Sequence, residues 1–198
     1  MSNQPHIYLG VMSGTSLDGA DVVALEMSDG HFEVMGAFSI PFDAHLRAAC
    51  LHLQSAQADE IHIAQQVANQ LADLYSEAIN TLMVDLELTP SDVQAVGVHG
   101  QTIRHRPEHN YTVQLNQPAR IAEQTGITVV SDFRARDIAA GGHGAPLVPA
   151  FHDALWRTAH TNRVVVNIGG FANISVLNAN QTTFGFDTGP GNVLMDAW

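Results

Sequence analysis

The sequence is poor in positive charge, in cysteine and in long apolar runs. Eight lysines and arginines stand against twenty aspartates and glutamates among 198 residues, a formal net charge of −12. Such an acidic balance favours neither a nucleic-acid partner nor an anionic membrane surface. The single cysteine, Cys50, excludes an internal disulfide and is typical of a reducing cytoplasm. No apolar run reaches membrane-spanning length, and the spacing of His99, His105 and His109 matches no standard zinc pattern.

An apolar strand near the N-terminus runs directly into a turn of small and hydroxyl residues, Ser13–Gly19. Gly14 and Gly19 let the backbone approach a ligand closely, and Thr15 and Ser16 supply hydroxyl donors. Asp18 and Asp21 supply carboxylates that can hold a hydrated Mg²⁺. This composition directly after a strand indicates a phosphate site, although neither a Walker loop nor a GxGxxG fingerprint is present. A plain β-hairpin turn between two apolar strands is the alternative interpretation.

The first part of the chain predicts a mixed sheet. Three strands joined by short turns form an antiparallel meander over Ile7–Met12, Asp21–Met27 and Phe32–Ile40. Two segments with helical spacing follow, Phe42–Leu53 and Glu60–Leu88, and then two strands, Val93–Val98 and Tyr111–Leu115. A further helix that Asn116 can cap is predicted over Pro118–Gln124, and a buried strand over Ile127–Val130. This order predicts an α/β fold of the ribonuclease-H-like type, as in the actin and hexokinase superfamily, with a mixed sheet flanked by helices.

The rest of the chain predicts the start of a second copy of the fold. After a Gly-rich loop, Gly141–Pro146, a helix over Pro149–Ala159 precedes a second meander over Arg163–Val166, Ile174–Leu177 and Thr182–Phe186. We therefore expect a first lobe at residues 1–160 and an incomplete second lobe at 161–198. Residues 187–192 are predicted as a turn, and Val193–Trp198 as the first turns of a helix. Because the second copy stops there, we expect the chain to be an N-terminal fragment.

Three aspartates are candidates for a catalytic carboxylate, because each lies at a strand end or in a Gly-rich segment: Asp132, Asp137 and Asp187. Asp132 and Asp137 could instead pair with Arg134 or Arg136, and Asp187 could cap a turn. A second candidate phosphate turn contains Gly169 and Gly170, since two-lobed phosphotransferases place one Gly-rich turn in each lobe. His99 ends a buried strand and could contact substrate or simply be a core-edge histidine.

Five segments together resemble the signature blocks of the anhydro-N-acetylmuramic acid kinase family. They cover nearly the whole chain in the expected order: GVMSGTSLDG (10–19), GVHGQTIRH (97–105), DFRARDIAAGGHGAPLVP (132–149), NIGGFANI (167–174) and GFDTGPGNVLMD (185–196). The resemblance implies a cytoplasmic enzyme of bacterial cell-wall recycling. It implies that 1,6-anhydro-N-acetylmuramic acid, water and ATP give N-acetylmuramic acid 6-phosphate and ADP, with Mg²⁺ as the metal.

The resemblance also implies roles for particular residues. Asp187 is expected to be the catalytic base and Asp18 the metal ligand. ATP is expected at Gly14, Thr15, Ser16, Leu17, Asp18, Gly19, Ala20, Asp21, Gly169 and Gly170. The anhydro amino sugar is expected at His99, Gln101, Asp132 and Gly189. We also expect a homodimer. A non-catalytic sugar-binding module and an actin-like phosphatase are the alternative functions.

Overall fold

The structure, a computed structural model, describes residues 5–28, 31–192 and 195, which fall into two compact units. The first unit contains the residues up to His105 together with Val113–Asp132; the second contains Arg106–Thr112 and the residues from Phe133 onward. In chain order the elements are β1 (His6–Met12), β2 (Gly19–Ser28), β3 (His31–Pro41), α1 (Ala44–His52), α2 (Glu60–Asp85), β4 (Val93–Val98), β5 (Gln101–Arg106), β6 (Tyr111–Leu115), α3 (Pro118–Thr125), β7 (Val129–Val130), α4 (Phe133–Ala139), α5 (Val148–Trp156), β8 (Arg163–Ile168), β9 (Phe171–Leu177) and β10 (Phe184–Pro190).

The first unit is built on a five-stranded sheet in the order β3-β2-β1-β4-β7. β1, β2 and β3 form an antiparallel meander, whereas β4 pairs in parallel with both β1 and β7. Because the strands that follow the meander return in parallel through helices, the sheet is mixed, and the predicted α/β class is confirmed.

The core of the first unit lies between this sheet and α2, which packs on β1, β2 and β3. Alternate residues of β2 are buried, namely Ala20, Val22 and Ala24, because successive side chains of a strand point to opposite faces. The apolar stripe of α2 faces them and includes the buried Val67 and Leu71. α1 packs on α2, and α3 packs on α2 and β7.

The second unit is built on a three-stranded antiparallel sheet in the order β10-β9-β8, with α5 packed on β9. The contact joins two buried polar side chains, since Nδ1 of His152 on α5 lies 2.8 Å from Oγ of Ser175 on β9. Trp156, one turn further along α5, stacks on the His152 ring with centroids 5.0 Å apart. One face of the sheet is therefore covered by α5.

The structure confirms the strands of both predicted meanders and the helices now labelled α1, α2, α3 and α5, and it corrects five details. β5 and α4 were not predicted. Asn116 does not cap α3; Gln117 occupies the cap position, and Asn116 donates from Nδ2 to the Val98 carbonyl at 3.2 Å. The predicted turn at 187–192 is wrong for residues 187–190, which continue strand β10. The strand predicted at Ile127–Val130 is only two residues long.

Two expectations about the C-terminal part stay predictions. The second compact unit consists of Arg106–Thr112 and the residues from Phe133 onward, whereas the predicted boundary at residue 161 concerns where a second copy of the fold begins. The helix predicted over Val193–Trp198 lies outside the described residues, except for Met195. Among the helices that the structure describes, none is long and apolar enough to cross a membrane.

Candidate functional site

The predicted phosphate turn joins β1 to β2, and its base and tip differ in exposure. Ser13 and Leu17 are buried, with 2% and 1% of their surface exposed. Leu17 has a left-handed φ of 55° and donates its N–H to the Gly14 carbonyl at 3.3 Å. The tip is exposed at Thr15, Ser16 and Asp18. The segment is thus a hairpin connection, as the alternative interpretation held, and its tip presents the hydroxyls and the carboxylate that a phosphate site would use.

The two glycines of this turn differ in whether the fold requires a glycine at their position. A Cβ on Gly14 would only make an ordinary contact with Ser16 Oγ at 3.4 Å. A Cβ on Gly19 would overlap the carbonyl oxygen of Ile40, because Gly19 pairs with Pro41 where β2 meets β3. Strand pairing therefore requires a glycine at position 19, whereas the fold leaves room for a side chain at position 14.

The carboxylates near the turn are partly engaged. Asp18 accepts a hydrogen bond on Oδ1 from Ser16 Oγ at 2.6 Å, and Asp21 accepts one on Oδ1 from Ser39 Oγ at 2.5 Å. Within the described part of the chain, no three His, Cys, Asp or Glu residues cluster as a metal site. The exposed Asp18 carboxylate suits a hydrated Mg²⁺, because this ion keeps several waters and binds through one or two carboxylates together with substrate phosphates.

Two further ATP candidates can reach a ligand only through their backbone. The side chains of Leu17 and Ala20 are buried in the core of the first unit. The Leu17 N–H donates to the Gly14 carbonyl, and Ala20 pairs with Ile40 between β2 and β3, so the contact of these two residues with ATP stays a prediction. Neither side chain can be a source of specificity.

The segment after β4 meets the turn at one edge of the sheet, because β1 and β4 run in parallel. The His99 N–H donates to the Val11 carbonyl at 3.1 Å, and its Nδ1 lies 2.6 Å from the Gly100 carbonyl oxygen. Gln101 is fully buried and donates from Nε2 to the Gly14 carbonyl at 3.1 Å. Its Oε1 is buried without a hydrogen-bond partner among the described residues. The structure thus joins Gln101 to the predicted phosphate turn.

Asp132 follows β7 at the same carboxyl edge of this sheet. β7 pairs in parallel with β4 through Gly97 and Val130, two residues before Asp132. Asp132 is exposed and has a left-handed φ of 62°. The structure places His99, Gln101 and Asp132 near one edge of the sheet, and their contact with a sugar stays a prediction.

Asp137 has a structural task in the Gly-rich loop of the second unit. Its Oδ2 accepts the Gly144 N–H at 2.7 Å, and Arg134 donates from Nη1 to the Gly144 carbonyl at 2.6 Å. A Cβ on Gly142 would overlap the Asp137 carboxylate. The pair holds the loop from both sides, which separates Asp137 from the other two candidate aspartates.

Asp187 lies in β10 at a β-bulge. It pairs with Asn173 of β9, and the next pair joins Gly189 to Ala172, so that Thr188 is left over. The Asp187 carboxylate is exposed, whereas Oδ1 of Asn173 is buried with no partner among the described residues. Bulges re-aim side chains and are frequent beside active sites. The bulge, and not a turn, sets the position of the predicted base.

Arg134 is a charged neighbour of this carboxylate that sequence reasoning did not assign to the site. Burial lowers the pKa of the Arg134 guanidinium, and the negative charge of Asp187 raises it. The favourable interaction between these two groups lies within the second unit. Sequence reasoning weighed Arg134 only as a partner of Asp132 or Asp137, because nothing in the spacing links it to a residue 53 positions later.

The second Gly-rich turn, between β8 and β9, is held by the chain after β10. Gly191 N–H donates to the Gly170 carbonyl, and Asn192 N–H to the Gly169 carbonyl, both at 2.8 Å. Gly189, the predicted sugar contact, has a φ of 135°, where glycine is strongly favoured. The phosphate role of Gly169 and Gly170 and the sugar role of Gly189 stay predictions.

The five-stranded sheet of the first unit defines a class of protein by its strand order. A β3-β2-β1-β4-β7 mixed sheet with helical crossovers, and polar residues gathered at its carboxyl edge, is the ribonuclease-H-like arrangement of actin- and hexokinase-type proteins. A solved structure with this likeness is described as a reductive activator for a corrinoid, iron-sulfur protein. It has a TM-score of 0.52 and 15% identity, with 96% of this chain and 32% of that chain covered. At that identity the likeness concerns the fold alone.

Sequence comparison then identifies the family. The family model for anhydro-N-acetylmuramic acid kinase matches residues 6–198, and the chain belongs to this family. The anhydro-N-acetylmuramic acid kinase of Neisseria meningitidis serogroup A is 51% identical over 196 residues, covering 98% of this chain and 53% of its own length. That of Pseudomonas fluorescens is 50% identical over 192 residues, covering 97% and 53%. The chain thus spans about half the length of the curated relatives it matches.

Proposed function

We propose that this chain carries the phosphate-binding turn and the catalytic base of an anhydro-N-acetylmuramic acid kinase. The observation that carries the proposal is the family match over residues 6–198, which includes both the exposed turn and Asp187. The substrates would be 1,6-anhydro-N-acetylmuramic acid, water and ATP. The products would be N-acetylmuramic acid 6-phosphate and ADP, in cell-wall recycling in the cytoplasm.

The turn of the first unit supplies groups suited to ATP. The exposed Thr15 hydroxyl would donate a hydrogen bond to a phosphate oxygen, and Gly14 lets the backbone come close. The Ser16 hydroxyl donates to Asp18 and would have to turn from that carboxylate to reach phosphate. Asp18 would hold Mg²⁺, which neutralises charge on phosphate oxygens when bound. In an acidic chain these local donors matter more, because the net charge of −12 repels an anionic ligand.

Asp187 is proposed as the group that takes a proton from the attacking water. The water oxygen forms a bond to the anomeric carbon, and the water proton passes to the Asp187 carboxylate. The bond from that carbon to the bridging oxygen breaks, and the freed O6 forms a bond to the γ-phosphorus. The bond from phosphorus to the β,γ-bridging oxygen breaks, and ADP leaves.

Two features favour Asp187 over the other aspartates as the base. Asp137 is occupied by the backbone of Gly144, as described for the Gly-rich loop. Asp187 is exposed at a bulge and interacts with the positive charge of Arg134.

A coupled assay of ADP release, with and without the anhydro sugar, tests the function. The proteins compared are the 198-residue chain and the same chain continued by the remaining half of the Neisseria meningitidis relative. We expect sugar-dependent ADP release from the joined protein. Release from the chain by itself should be near background, since it spans about half of the relatives' length.

Other results would support other functions. Nucleotide hydrolysis that is equally fast without sugar would indicate a phosphatase of the same fold. Sugar binding with no ADP release in the joined protein would indicate a non-catalytic sugar-binding module. Either result would contradict the proposed kinase.

The turn has its own test, because the two glycines form a matched pair. Gly14→Val should weaken ATP binding strongly while the chain stays folded, since the fold leaves room for that side chain. Gly19→Val should instead destabilise the meander, because its Cβ overlaps the Ile40 carbonyl. Calorimetric titration with ATP, run beside thermal unfolding, separates the two. Unchanged ATP affinity in Gly14→Val would contradict the phosphate role.

A further inference from the structure

Two buried hydroxyls connect the predicted phosphate turn to the middle of α2. Tyr75 is fully buried, and its hydroxyl lies 2.6 Å from Oγ of Ser13, the first residue of the turn. Oγ of Ser13 also lies 3.4 Å from the Gly100 carbonyl oxygen, within donating distance. Burial raises the pKa of Tyr75, so its phenol stays protonated near neutral pH. The contact is therefore a bond between two neutral hydroxyls.

Apolar packing alone does not explain why two hydroxyls, those of Tyr75 and Ser13, are buried at this contact. Burying a hydroxyl costs free energy unless the group is hydrogen-bonded, and a phenylalanine facing an alanine would fill similar space without that cost. The neighbouring Ser76 provides a contrast, since its hydroxyl is also buried on α2 but has no partner among the described residues. What distinguishes the Tyr75 hydroxyl is its direct bond to the turn.

A second connection reaches the next residue of the turn from another element. Gln101, at the start of β5, donates to the Gly14 carbonyl at 3.1 Å and is fully buried. Ser13 and Gly14 are thus held by α2 and by the β4–β5 connection, while Thr15 and Ser16 remain exposed. A fixed base with an open tip is the arrangement of a preorganised binding loop.

We propose that Tyr75 and Ser13 are positioning residues for ATP: their bond fixes the base of the turn so that its tip donates to phosphate without first being ordered. The inference rests on the proposed function for the identity of the ligand. Preorganisation improves affinity because less conformational freedom is lost on binding. Neither residue need touch the nucleotide.

The test compares Tyr75→Phe, Ser13→Ala, the double variant and Ser76→Ala in the 198-residue chain. Amide hydrogen exchange of residues 13–18 without ligand reports the order of the turn, and calorimetry with ATP and Mg²⁺ reports affinity. Loss of one buried hydrogen bond should weaken ATP binding about tenfold and speed exchange of the turn amides. The double variant should be no weaker than either single variant. Ser76→Ala, which removes a buried hydroxyl without a partner, should leave both readouts unchanged.

The outcomes separate this inference from the proposed function. If Tyr75→Phe leaves turn exchange within twofold of the parent chain, the positioning role is wrong, whatever its ATP affinity. If Ser76→Ala speeds turn exchange as much as Tyr75→Phe does, the effect is one of helix packing and the inference also fails. If exchange accelerates only in Tyr75→Phe and Ser13→Ala, but the parent chain binds no ATP, the positioning of the turn is supported and its proposed ligand is contradicted.

Discussion

The two units each contain a three-stranded antiparallel meander, and the two meanders differ in what covers them. In the first unit, Val22 and Ala24 of β2 are fully buried beneath α2. In the second unit, Val164, Val166 and Ile168 of β8 are 59%, 60% and 66% exposed. Their cross-strand neighbours continue the same apolar face, because Val166 and Phe186 both pair with Ile174.

The difference shows that a strand pattern predicts a strand but not its burial. Both meanders are rich in apolar residues, and burial depends on whether a helix packs on that face. α5 covers the face of the second sheet that carries Ser175 and Leu177, which are both buried. The face that carries Val166 has no such cover among the described residues.

The largest expected difference between the meanders is in stability. Leu71→Ala removes a fully buried side chain of the α2 stripe, and large-to-small core substitutions lower the free energy of unfolding by about 2–5 kcal/mol. Val166→Ala, on the exposed face, should change it by less than about 0.5 kcal/mol. Urea unfolding of the two variants measures both values. A loss in Val166→Ala as large as that in Leu71→Ala would show that the β8 face is covered in solution.

The next effect concerns association through the exposed face. Apolar patches of this kind mark interaction sites, so we expect the chain to form dimers or larger species, in line with the predicted homodimer. Val166→Lys and Ile168→Lys together should shift light scattering toward monomer. Ile61→Lys, at an exposed apolar residue of α2, serves as the control and should leave association unchanged. A parent chain that is monomeric at every concentration would contradict this expectation.

A smaller effect is expected from the buried histidine of the second unit. Burial lowers the pKa of His152 below its ordinary value of 6.5. The unfolded chain therefore binds this proton more readily, and the stability that neutral His152 contributes is complete above pH 6.5. It is lost as the pH falls from 6.5 through the lower pKa of the folded state.

The free energy of unfolding, measured at pH 7.5 and 5.5, checks the His152 prediction. His152→Asn keeps a polar partner for Ser175 but cannot titrate, so it should show a smaller loss at the lower pH. An equal loss in the parent chain and in His152→Asn would assign the pH dependence to other groups.

Much of the fold could be predicted from local pattern. The alternation in β2 and the stripe on α2 each lie within one continuous segment, so the meander and its covering helix were visible in the sequence. The prediction ended β10 too early, because Gly189 and Pro190 suggest a turn, whereas pairing with β9 extends the strand through a bulge. Helix α4 was not predicted, because a helix of only seven residues shows little apolar periodicity.

Parts of the candidate site could likewise be predicted from local pattern, and other parts could not. The turn was predicted from a continuous run of small and hydroxyl residues after a strand, and Gln101 from its place in the segment at 97–105 that resembles a signature block of the family. The Tyr75–Ser13 bond joins residues 62 positions apart, and the interaction of Arg134 with Asp187 joins residues separated by α5, β8 and β9. Contacts of this length depend on tertiary packing, which no local pattern encodes.

The most direct test of the proposed chemistry is the kcat of Asp187→Asn in the chain continued by the remaining half of the Neisseria meningitidis relative. Asparagine keeps the shape of the side chain but cannot accept the proton, and a positioned base contributes about 10²–10⁴-fold. We predict that kcat falls by at least about 100-fold while ATP and sugar still bind, and that Asp132→Asn does not reproduce this pattern. A near-normal kcat for Asp187→Asn would contradict the assignment of the base.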